Sequence, residues 1–107
     1  MQNSSAAERV LASALAKTIR SRRTALGMTQ EQVAAEADID KNHYQLMESA
    51  RSNRKNNSAL NPRLHTLIRL SRVLECTVSD LIDDAINEYN QVDENYHSFV
   101  QYRPGTR

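Results

Sequence analysis

An all-α fold of five helices is expected from three features: composition, apolar spacing and cap residues. Ala, Leu, Arg, Glu and Gln are common, while Pro and Gly number two each and tryptophan is absent; this balance favours helix over sheet. Apolar residues recur at intervals of three and four along most of the chain. Thr29, Asp40 and Thr77 each stand where a helix would need an oxygen for its free amides. A chain of 107 residues makes one domain with a modest core.

Residues 1–7 read as a flexible terminus, and a domain over 8–86 follows. The first helix spans about Glu8 to Leu26, with Leu11, Leu15, Ile19 and Leu26 at helical spacing beside Ala12 and Ala16. Gly27 stands where a helix ends in a left-handed residue. "TQEQ" from Thr29 is a capping box, with the Thr29 oxygen and the Gln32 side chain satisfying amides at a helix start. That second helix turns Val33, Ala34 and Ala37 inward and stops near Asp38. Asp40 caps a third, with Tyr44 and Met47 inward, ending near Ser49 or Ala50.

Pro62 marks the start of the fourth helix, in a first turn that does not need its missing N–H. Leu64, Leu67, Ile68, Ser71 and Leu74 form its inner face. Thr77, with Asp80 three residues on, opens a fifth helix carrying Val78, Leu81, Ile82, Ala85 and Ile86. Residues 87–107 are a C-terminal extension of irregular pattern, holding Tyr89, Tyr96, Phe99 and Tyr102 of the chain's five aromatics.

Charge is unevenly spread in a chain whose formal net charge is only +1. Ser49 to Leu74 holds six basic residues (Arg51, Arg54, Lys55, Arg63, Arg69, Arg72) and no acidic one, whereas Glu75 to Glu94 holds seven acidic and no basic. A basic segment in a near-neutral protein is either a solvated face or a footprint for a polyanion. Its densest part is "RSNRKNNSALNP", Arg51 to Pro62. This polar loop is either a slack tether or a contact with something negative.

A lone Cys76 rules out an internal disulfide. No apolar run approaches the roughly 18 residues that span a bilayer, and the start lacks a secretory signal. A cytoplasmic protein is expected, nucleoid-associated when bound to DNA. The histidines and Cys76 show no ligand or triad spacing, so no metal, cofactor, small-molecule ligand or catalytic residue is assigned. Asp80, Asp83, Asp84 and Glu88 read as a solvated helix face.

"TQEQVAAEADIDKNHYQLMES", Thr29 to Ser49, has the proportions of a helix-turn-helix. In that motif one helix crosses the phosphate backbone while the next presents side chains to base edges in the major groove. "IRSRRTALGMTQEQVA", "IDKNHYQLMES" and "LNPRLHTLIRLSRVLECTVSDLI" follow in order. Together they resemble the lambda-repressor-like (Cro/repressor, XRE) helix-turn-helix family over roughly residues 14–86.

The resemblance implies the five-helix lambda-repressor-like fold and a sequence-specific DNA-binding transcriptional regulator, expected to be a repressor and not an enzyme. By position, Lys41, Asn42, Gln45 and Leu46 match recognition-helix residues that face bases. Lys suits guanine O6/N7, Asn or Gln suits adenine, and Leu46 suits a thymine methyl. Gln30 matches a residue that bonds a phosphate and braces the recognition helix. Thr29, His43, Arg51, Asn53, Arg54 and Lys55 are the other expected backbone contacts. Arg23 and Glu48 match a structural ion pair between the first and third helices.

Three positions depart from the family pattern. Asp38 occupies the usual turn glycine, Tyr44 replaces a small aliphatic residue and would set the third helix outward, and the loop over 51–61 is longer than usual. In the family fold that loop passes along the DNA backbone, so phosphate contact is expected of it. Expected partners are double-stranded DNA with a palindromic operator and a second copy of the chain, with residues 78–102 supplying much of the interface. The alternative is a protein-interaction module, or an antitoxin-like protein, using the same fold.

Overall fold

The computed structural model describes residues 4–93, which form five helices and no strand. They are α1 (Ala6–Ala25), α2 (Gln30–Glu36), α3 (Lys41–Glu48), α4 (Leu64–Val73) and α5 (Val78–Val92). Each start but one is closed by a side chain. Ser5, Thr29 and Thr77 make capping boxes with Glu8, Gln32 and Asp80, and Asp40 accepts from the His43 amide. The Thr77 backbone amide and then its hydroxyl hold the Asp80 carboxyl below its ordinary range, so the cap is charged at neutral pH.

α1 lies mainly along α5, while α2 and α3 pack on each other and on the α1 and α4 flanks. The core between them contains Leu15, Ile19, Val33, Tyr44, Met47, Leu70, Leu74 and Leu81. Among the described residues three non-glycine residues take left-handed backbone, Asp38, Ala50 and Glu75, each directly after a helix end. Asp38, at φ 57°, therefore does what a glycine would do in the α2–α3 turn.

Several expected boundaries move. α1 begins at Ala6, not Glu8, because the Ser5 capping box starts it there and Ala7 is buried; residues 4–7 are thus part of the fold rather than a loose end. Pro62 does not open α4. Arg63 is the N-cap with extended backbone, and the helix starts at Leu64. Leu64 is not on the inner face: it is 66% exposed, whereas Leu70 is fully buried, so the inner stripe runs from the half-buried Leu67 through the buried 70, 71 and 74. Leu64 lies one turn beyond the edge of the core. α5 passes straight through Asn87 to Val92, so a domain boundary at 86/87 falls inside a helix. Tyr89 belongs to α5; Tyr96, Phe99 and Tyr102 lie outside the described residues.

The long loop is folded. Arg51 and Ala59 form an antiparallel bridge, Ser52 N–H donates to the Ser58 carbonyl (3.2 Å), and the Ser52 hydroxyl donates to the Ala59 carbonyl (2.6 Å). Asn53 Oδ1 accepts from the amides of Lys55 and Asn56, and Asn56 Oδ1 from that of Ser58. These are local side-chain turns of the kind Asn favours. The loop's one large apolar residue, Leu60, is buried in the core and pins the returning chain. From outside, the Ser4 hydroxyl accepts the Ala59 amide at 2.8 Å. A slack tether is excluded by these bonds.

Candidate nucleic-acid interface

The position of α3 is set from beneath by one carboxylate. Glu48 is 4% exposed and takes four donors on two oxygens. Arg23 Nε and Nη2 reach Oε2 and Oε1 at 2.6 and 3.0 Å, Gln30 Nε2 reaches Oε1 at 2.8 Å, and the Tyr44 hydroxyl reaches Oε2 at 2.5 Å. A carboxylate offers about four acceptor sites, so Glu48 is saturated. Burial pushes its carboxyl up, but the bonds from Arg23, Tyr44 and Gln30 outweigh that and hold it below its ordinary range. The Arg23 guanidinium is raised by its bond to Glu48. The Tyr44 phenol is raised by burial and then by its bond to Glu48, so it stays a donor.

Arg23 Nη1 also donates to the Met28 carbonyl (3.0 Å), and Arg20 Nη1 to the Glu48 carbonyl (2.6 Å), at the C-terminal end of α3. Arg23 and Glu48 thus pair across α1 and α3 as expected. Tyr44 is accommodated by full burial of its ring. Arg20 and the Tyr44 hydroxyl were missed in the sequence. Tyr44 and Glu48 stand four apart, the spacing at which helix side chains meet, so that bond had a signal; Arg20 had none.

Above this base exposed and half-buried side chains form a continuous face. Thr29, Gln30, Glu31, Lys41 and Gln45 line one shallow hollow, and Gln45, Leu46, Ser49, Arg51 and Arg54 line the next. Gln45 is common to both. Asn42 is exposed on the first turn of α3. The loop's basic end is carried directly off α3, since the Arg51 amide donates to the Leu46 carbonyl at 2.9 Å. Arg51, Arg54 and Lys55 are exposed. Gln30 braces α3 through Glu48, and its other amide hydrogen remains to donate outward.

Three expected site residues are placed differently from the rest. His43 lies on the other flank of α3, where it lines a hollow with Arg63 and Arg69. The Asn53 side-chain carbonyl is spent on shaping the loop, which leaves only its NH₂ for a phosphate. Lys41 is held by Glu31, with Nζ 2.7 Å from Oε2. Of the basic segment, Arg69 is structural: its Nε donates to the Ala37 carbonyl at 2.8 Å, tying α4 to the α2–α3 turn.

His43, His65 and Cys76 stand on α3, on α4 and in the α4–α5 turn, and no group of three or more metal-ligating side chains is gathered among the described residues. No described helix is long and apolar enough to cross a membrane. The Cys76 thiol is pushed up by burial.

Residues 19–53, from the middle of α1 into the long loop, match the family model described as helix-turn-helix. Over these residues the chain is similar to the lambda-repressor-like, XRE class of helix-turn-helix, and the five helices of the described residues are consistent with that all-α fold. The match supports a DNA-binding helix-turn-helix regulator. No curated protein and no solved structure gives a significant match.

Proposed function

We propose that this protein is a sequence-specific transcriptional repressor that reads the major groove with α3. The observation carrying the proposal is the continuous face centred on Gln45, where amide, amine and guanidinium side chains stand side by side. Lys41, Asn42, Gln45 and Leu46 meet base edges, where amine, amide and methyl groups distinguish the four base pairs. Thr29, Gln30, Arg51, Arg54 and Lys55 meet phosphates on either side of them, Asn53 adds its NH₂, and His43 flanks the far side with Arg63. Phosphate contacts fix register and base contacts fix sequence.

One such module covers one half-site, so the active species is a homodimer on a palindromic operator with half-sites about one helical turn apart. α5 offers the contact. Ile86 and Val92 are each 40% exposed, and Tyr89 stands half-buried between them. Apolar and aromatic side chains of this kind are enriched in interface cores.

Selection of bound fragments from a random duplex pool tests the reading. Enrichment of a two-fold symmetric motif is expected. Retention of DNA with no enriched motif would overturn sequence-specific recognition.

A further inference from the structure

Lys41 is a poor discriminator by itself. Its ammonium is a hydrated point charge on a flexible stem and can donate to any phosphate or base acceptor nearby. In this protein it is not left to itself. Glu31, in the first turn of α2, takes one of its N–H bonds at 2.7 Å. Glu31 and Lys41 line the same hollow as Thr29, Gln30 and Gln45, on the side proposed to meet DNA. The Lys41 hydrogen bond, and then its charge, keep the Glu31 carboxyl below its ordinary range, so Glu31 is anionic at neutral pH.

A carboxylate among phosphate-binding side chains opposes binding through like-charge repulsion, and both partners are more than half exposed, so the pair adds little stability. Glu31 also faces the positive end of the α2 dipole, a structural benefit that any acidic residue there would provide. That benefit does not require Glu31 to hold Lys41.

We propose that Glu31 is a specificity-determining residue that acts through Lys41, a reading that rests on Lys41 facing bases. With one N–H held by Glu31, Lys41 is kept away from the flanking phosphates. Its remaining donors then point to a base edge, where guanine O6 and N7 accept them and the adenine amino group does not. The negative charge of Glu31 lowers affinity for all DNA, and the restraint raises the contrast between sequences. This is selection against wrong partners as well as for the right one.

Three variants, Glu31→Gln, Lys41→Ala and the double variant, test it by selection from random duplexes and by affinity against salt. Lys41→Ala is expected to erase the preference at one base pair per half-site, about tenfold for a good contact. Glu31→Gln is expected to bind unrelated DNA more tightly, to weaken that same preference several-fold and to steepen the salt slope by about 0.9 as Lys41 moves to a phosphate. The double variant should match Lys41→Ala in base preference. A merely structural Glu31 would leave the preference at that pair unchanged. If Lys41→Ala erases a preference that Glu31→Gln keeps in full, the proposal alone is overturned. If Lys41→Ala changes no base preference, the reading of Lys41 as a base contact fails and the proposal falls with it.

Discussion

Tyr44 donates a hydrogen bond from its hydroxyl to the buried Glu48 carboxylate one helical turn further on, where the half-buried Arg23 and Gln30 complete the shell. α3 is therefore fixed to α1 and α2 through a single anion, and under the proposed function the loss of any donor bears on DNA reading as well as on stability.

Removing one member of the buried ion pair leaves the other charge uncompensated. Arg23→Ala is expected to cost about 3–5 kcal/mol in urea denaturation. Tyr44→Phe keeps the ring and loses one bond to a charged acceptor, so a cost of about 1.5–3 kcal/mol is expected. A Tyr44→Phe protein as stable as the wild type would show that the hydroxyl contributes nothing to holding α3.

The same anion predicts an acid limb. Glu48 has a depressed carboxyl in the folded protein, so the unfolded chain binds more protons as pH falls. The stability it contributes is fully present above the unfolded value near about 4.3 and is lost as pH drops through the lower folded value. Denaturation midpoints measured from neutrality down to strong acid should fall through that window, and a Glu48→Gln variant, weaker throughout, should fall less.

Much of the fold was legible because caps and apolar spacing are local signals. Thr29, Asp40 and Thr77 each close the helix assigned to them. The errors came where local rules compete. Pro62 fits either the first helical turn or the residue before the cap, and Leu64 continues the apolar spacing of α4 one turn past the core. The folded loop had one signal, a single leucine among polar residues, and Leu60 is what anchors it. The bond from Ala59 to Ser4 joins residues 55 apart and leaves no trace in sequence spacing. The Arg23–Glu48 pair was legible only through the family resemblance.

The folded loop can be tested in two ways. Leu60→Ala should cost about 2–5 kcal/mol, as for other buried leucines, where a tether would tolerate it. Replacing Arg51, Arg54 and Lys55 together by Ala should weaken all DNA sequences alike and flatten the salt slope by about 0.9 for each phosphate no longer neutralised. An unchanged slope would remove the loop from the interface.

Assembly is read by sedimentation. The full chain should be a dimer at micromolar concentration, and Ile86→Asp, which places a charge on an exposed position of α5, should give a folded monomer. A variant that dimerises as well as the wild type would put the interface elsewhere.

The most direct test of α3 as the reading helix is parallel selection of bound duplexes by the wild type, Asn42→Ala and Gln45→Ala. Each variant should lose preference at one base pair per half-site, a loss of about 1–3 kcal/mol in discrimination, and keep the rest of the motif. Recovery of the wild-type motif at full stringency by both variants would contradict base reading by this face of α3.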